Sequence, residues 1–100
     1  DYTKLGYSFI SYVGVFLNNT SQTQFVLERI NDIPYVTVAH ITTGRFNIFC
    51  KIRARDTLHA KEVIFQLDDI EGVMRTETMI SLEESINDKK RLMHTIFNEL

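Results

Sequence analysis

Residues 7–17, YSFISYVGVFL, are mostly β-branched and aromatic, which predicts a strand. Tyr7, Phe9, Val13 and Val15 fall on one face of it and Ile10, Tyr12 and Phe16 on the other. A strand apolar on both sides needs cover on both sides. Helices of so short a chain can supply one layer, so the other face is expected to meet a second subunit. Asn18, Asn19 and Thr20 end the strand. Ser21 with Gln24 three residues on forms a capping-box pattern, and Phe25, Val26, Leu27 and Ile30 supply an apolar stripe until Pro34 stops the helix. Val36–Thr43 reads as a second strand, Gly44-Arg45 as a turn, and Phe46–Ala54 as a third strand paired to the second as a hairpin. Asp56 or Thr57 caps a second helix with the stripe Leu58, Ala60, Val63, Ile64 and Leu67. Val73–Leu82 follows as a fourth strand. Leu92, Ile96 and Leu100, with Met93 and Phe97 beside them, predict a last helix over roughly 87–98, whose polar side holds Lys89, Lys90 and Asn98.

The order is β-α-β-β-α-β plus one helix, and it repeats internally. Asp32-Ile33 matches Asp69-Ile70, and at the same offset Thr20 matches Thr57, Val26 matches Val63 and Val36 matches Val73. Two βαβ-like halves predict an α+β, ferredoxin-like sandwich with helices on one face of an antiparallel sheet. The expected division is a ferredoxin-like domain over 1–84 and a helical extension over 85–100.

Composition narrows the function classes. The chain has 100 residues, 44% hydrophobic and 24% charged, which suits a single globular domain. Its net charge of -2, with no Lys/Arg cluster, argues against a surface that binds nucleic acid by itself. One cysteine excludes an internal disulfide framework and fits a reducing, cytoplasmic setting. No apolar run approaches the roughly 20 residues of a membrane span, and no signal-peptide pattern opens the chain. It starts at Asp1 rather than Met and is expected to be a piece of a longer or processed protein. The Asn18-Asn19-Thr20 glycosylation pattern is taken as chance.

Catalytic chemistry finds little support. His40, His59 and His94 lie on three different predicted elements without metal-ligand spacing. Cys50 is mid-strand and reads as a small hydrophobe. The pairs Asp68-Asp69 and Glu83-Glu84 read as solvated charge. Phosphate loops, nucleophile elbows and cysteine pairs are absent from the sequence; no catalytic residue, metal or cofactor is expected. One segment does suit a ligand: Thr42, Thr43, Gly44, Arg45, Phe46 and Asn47 join hydroxyls, an amide and a glycine that leaves backbone N–H groups open to a carboxylate. Thr76 and Thr78 add hydroxyls on one face of the fourth strand. The plain alternative is a hairpin turn and two β-favouring threonines.

The segments LGY at Leu5–Tyr7, IPYV at Ile33–Val36, HITTGRFNIFCKIRARD at His40–Asp56 and EGVMRTETMISLEE at Glu71–Glu84 resemble, in order and spacing, the C-terminal domain of the Lrp/AsnC transcriptional regulators. The resemblance implies an effector-binding and oligomerisation domain that dimerises through its sheet, with dimers commonly assembled into octamers. It implies an amino-acid effector held at contacts between dimers, and DNA binding only through an N-terminal helix-turn-helix that this chain does not contain. The family's effector motif falls on Thr43-Gly44-Arg45-Phe46-Asn47, with Thr42 beside it and Thr76 and Thr78 at positions that can line the same pocket. The family often has Asp where this chain has Asn47, which removes a charge for an effector ammonium. Two other readings stand beside this one: a structural oligomerisation module with a vestigial pocket, and a small dimeric enzyme using His40.

Overall fold

In the computed structural model, which describes residues 1–88 and 90–99, β1 (Phe9–Leu17), α1 (Thr23–Asn31), β2 (Val36–Ile41), β3 (Ile48–Ala54), α2 (Thr57–Asp68), β4 (Val73–Ile80) and α3 (Arg91–Glu99) follow one another along the chain. The four strands form one sheet in the order β2-β3-β1-β4, with every neighbouring pair antiparallel. This is the ferredoxin-like arrangement expected from the two βαβ halves. The internal repeat has a structural meaning. Asp32 and Asp69 are the C-terminal caps of α1 and α2, Val26 and Val63 are buried on them, and Val36 and Val73 open the strands that follow.

The core fills the space between α1, α2 and one sheet face. Val13 and Val15 of β1, Ile48, Cys50 and Ile52 of β3, Val26 of α1 and Leu67 of α2 are all fully buried. Alternation along β3 is strict, with even-numbered residues inside and odd-numbered ones half-exposed. Cys50 sits in this core as the small hydrophobe the sequence predicts, and burial pushes its thiol up to about 11.

Four local expectations change. Ser21 does not cap α1. The Asn19 side chain instead accepts from the Ser21 N–H at the head of a short 3-10 turn, Thr20–Gln22, that runs directly into the helix. Ala60, Val63 and Leu67 face inward as expected, but Leu58 is exposed and His59, one residue on, is buried with them at the head of α2, where its N–H donates to the capping Asp56. The strands are shorter at their ends than the β-favouring runs imply; Thr42 and Thr43 belong to the turn region, not to β2. The last helix starts at Arg91, and residues 81–88 are not helical. Leu100, read as part of its stripe, and Lys89, read on its polar side, lie outside the described residues. Among the described ones, Leu92, Met93, Ile96 and Phe97 are all exposed. This tail helps to explain a radius of gyration of 15.4 Å, against about 13 Å for a compact chain of this length.

The second face of the sheet is partly clothed by the chain itself. Ile10 and Phe16 are buried there and Tyr12 is half-buried. Two pieces of chain lie on it: the connection between β2 and β3, and the segment after β4, where Glu84 pairs with Lys51 at 3.7 Å.

Candidate functional site

The six hairpin residues fold over the end of β1. The Thr42 N–H donates to the Asn47 carbonyl at 3.1 Å, and the Thr42 hydroxyl donates to the Phe46 carbonyl, closing the loop. Thr43, Gly44 and Arg45 stand exposed at its tip, and the position a side chain would take on Gly44 is open space. Phe46 turns back and packs against Gly14; a Cβ built there would run into the Phe46 ring. That close approach is why β1 carries a glycine in the middle of an otherwise bulky strand.

Asn47 is spent on the fold. Its N–H donates to the Val15 carbonyl, and its side-chain oxygen accepts from the Leu17 N–H at 2.9 Å, extending the β1–β3 ladder beyond its last regular pair. The residue predicted to greet an effector ammonium with that oxygen therefore holds β1 instead. An aspartate would make the same bond, so Asn in place of Asp is no obstacle to the hairpin's architecture.

Arg45 reaches across to β4. Its guanidinium donates to both oxygens of Glu77, at 3.0 and 2.8 Å, and Arg75 donates to the same carboxylate at 3.2 Å. Both guanidinium groups lie over the Phe16 ring, at 5.6 Å for Arg45 and 3.9 Å for Arg75. The hydrogen bonds and charge of Glu77 raise the Arg45 guanidinium above its ordinary value. In return the Arg45 hydrogen bond, then its charge and the contacts from Arg75, hold the Glu77 carboxyl below the usual carboxylate range. Beneath them runs an aromatic row: Phe16 meets Phe46 edge-on at 5.3 Å, Phe46 meets Phe49 at 5.9 Å, and Phe49 stacks on Tyr12 at 5.8 Å. Two cations, one anion and a π-surface can orient a zwitterion: carboxylate to the guanidinium groups, ammonium to Glu77.

Thr76 and Thr78 do not join this group. Register places Thr76 opposite Val15 and Thr78 opposite Val13, so both point toward the helices. The Thr76 hydroxyl donates to Asp68 at the end of α2, 2.7 Å away. Between them Glu77 points the other way, opposite Gly14. The two-residue period of a strand separates the threonines from the hairpin, and the same period supplies Arg75 and Glu77, which the sequence reading missed. The sequence offered one signal for them, the alternation of charged Arg75 and Glu77 with Thr76 and Thr78; only the register with β1 shows which set meets Arg45.

The histidines stay apart. His40 is exposed on β2, an edge strand. His59 is buried at the head of α2, where its Nδ1 accepts from the Arg55 N–H at 3.0 Å and its ring meets Tyr35 edge-on at 4.3 Å. Among the described residues no group of three or more His, Cys, Asp and Glu could hold a metal ion, and no helix is long and apolar enough to cross a membrane.

The fold and sequence can be set beside known proteins. The family model described as the Lrp/AsnC ligand binding domain matches residues 10–90. The chain is 28% identical over 87 residues to the regulatory protein AsnC of Haemophilus influenzae, covering 86% of this chain and 58% of that protein. It is 29% identical over 84 residues to the regulatory protein AsnC of Escherichia coli, covering 83% and 55%. The solved structure of E. coli AsnC superposes with a TM-score of 0.84 at 27% identity, over 88% of this chain and 60% of that one. The chain thus spans a little over half the length of these curated relatives, which are named as regulators and not as enzymes.

Proposed function

The chain belongs to the Lrp/AsnC ligand-binding domain family, and from that premise we propose that it binds a small effector, an amino acid, and couples this binding to assembly of the regulator. DNA is then contacted through a helix-turn-helix elsewhere in the protein, in the cytoplasm. Residues 1–84 form the effector-binding and oligomerisation unit, and 85–100 an extension of it. The observation that carries the effector site is the exposed hairpin tip, Thr43-Gly44-Arg45, tied by Arg45 to Glu77. Open backbone around Gly44 and the Arg45 guanidinium take the carboxylate; Glu77 takes the ammonium in place of an acid at 47. Thr42, Phe46 and Asn47 hold the loop in shape. Dimerisation uses the second sheet face, where Val38 and Met79 remain exposed beside the aromatic row. An effector that fits one assembly better than another shifts the population toward it.

The test is a thermal-shift panel of the twenty amino acids on protein whose oligomer size has been measured. Ligand at about 100 times its Kd stabilises by roughly 2.7 kcal/mol, several degrees in a domain of this size. A selective shift by one or two amino acids, lost in Arg45→Ala, supports the reading. A flat panel on assembled protein sinks it and favours a structural module, the second reading to which the tethered Asn47 side chain also points.

A further inference from the structure

The sheet ends in two edge strands, β2 and β4, and they are built differently. β4 carries Arg75 and Glu77, and charge along an edge discourages another strand from pairing with it. β2 runs Val36–Ile41 without an Asp, Glu, Lys or Arg, and the neutral stretch continues through Thr43. Pro34 lies ahead of the strand, not in it. Val38, Ala39, His40 and Ile41 are all exposed. The Thr42 N–H bonds back to Asn47, directly opposite it in the β2–β3 register. The two-residue period therefore turns the N–H and C=O groups of Ala39 and Ile41 away from β3 and out of the sheet. Beside this edge a groove of about 470 Å³ separates β2 from α1. Leu27 and Ile30 of α1 and Val36 and Ala39 of β2 line it, and the exposed Glu28 and Asn31 give it a polar wall.

Outward backbone donors and acceptors alternating along a neutral edge fit another strand. We infer that this strand is β2 of a second copy of the chain, paired antiparallel about a two-fold axis at Ala39. Ala39 lies within the strand and directs both backbone groups outward, so the two copies exchange a reciprocal pair of hydrogen bonds there. Val38 of each copy then faces His40 of the other. Neutrality is what suits the strand to its own copy, because the symmetric pairing brings no like charges together. Ala39, the smallest side chain in β2, stands opposite Cys50 on the helix side, where it leaves the α1 helices of the two copies room to close over the groove. On the other side the second sheet face, with its exposed Val38, continues from one copy into the next. The contact uses an edge, so it is separate from the face-to-face dimerisation proposed above and can coexist with it.

Amide hydrogen exchange and sedimentation test the contact on the full chain. The Ala39 and Ile41 amides should be protected in the assembled protein and exchange faster on dilution. Ala39→Pro removes the N–H at the axis, a change that an unpaired edge tolerates. Ile41→Lys places a charge on the same edge and keeps the test open should the proline disturb folding. Where the wild type is assembled, each variant should lower the sedimenting mass roughly by half. Each should also free the remaining edge amide, Ile41 in the first and Ala39 in the second. Met79→Glu, aimed at the second sheet face, and Arg45→Ala, in the hairpin, should both leave the edge protected, so loss of those contacts reads differently from loss of this one. The pairing is overturned if the folded variants keep the wild-type mass, if the two amides exchange freely at every concentration, or if they become protected only when another polypeptide is added.

Discussion

The two faces of the sheet obey different rules. Toward α1 and α2, β1 and β3 present valine, isoleucine and cysteine that are fully buried, and nearly every group is satisfied by packing alone. On the other face the same two strands present Tyr12, Phe16, Phe49, Lys51 and Arg53, partly covered by a folded-over hairpin and by the segment after β4. The first face is complete within one chain. The second is stitched by directional contacts, an ion cluster and stacked rings, and leaves apolar surface showing. A face closed by dispersion and water exclusion gives stability; a face held by a few adjustable polar contacts gives a surface whose occupant can change.

Mutation should expose that contrast. On the closed face, Leu67→Ala leaves a cavity that its neighbours cannot fill and should cost about 2–5 kcal/mol in urea unfolding. On the open face, Gly14→Ala drives a methyl group into the Phe46 ring and should cost about 1–3 kcal/mol. Combining it with Phe46→Ala should recover part of that loss, so a double-mutant cycle will be strongly non-additive. Asn47→Ala strips the Leu17 N–H of its acceptor and should cost about 1–2 kcal/mol, whereas Asn47→Asp should be close to neutral; equal losses would mean that the side-chain bond to β1 is not made in solution.

The titrating groups sharpen the comparison further. Cys50 on the closed face has its folded value raised to about 11, so the stability it contributes is full below the unfolded thiol's ordinary range and is lost as pH rises toward 11. A Cys50→Ala variant should show a flatter alkaline limb, and the native thiol should react with thiol reagents only as fast as the fold opens. Glu77 on the open face has a lowered value, so its contribution is present above the ordinary carboxylate range and fades as pH falls through the lowered one. Being an exposed pair, it should matter least: Glu77→Gln should scarcely move the denaturation midpoint while still weakening effector binding. A large stability loss in that variant would show that the cluster is structural.

Much of the fold was legible. The run from Tyr7 to Leu17 is too β-branched to be a helix, Pro34 stops α1, and the Val26/Val63 and Asp32/Asp69 repeats mark two equivalent halves. The site was legible only in part. The hairpin Thr42–Asn47 could be read from its glycine and hydroxyls, but the roles within it were shared out differently, with Asn47 bonding β1 and Arg45 bonding Glu77. Leu58 was expected inside with Ala60, Val63 and Leu67 on hydrophobicity alone; it is exposed, and the neighbouring His59, about 100° away around the helix, is buried beside them.

What the sequence determined by itself is what local pattern and composition control: the element order, the helix-facing layer, the absence of catalytic motifs and the likeness to a regulator's ligand-binding domain. Tertiary structure decided everything that depends on register. Thr76, Glu77 and Thr78 are consecutive, yet pairing with β1 sends the threonines to the helices and the glutamate to Arg45, 32 positions earlier in the chain. A strand's alternation shows that its neighbouring side chains part company; which face each takes is fixed only when the strand meets its partner.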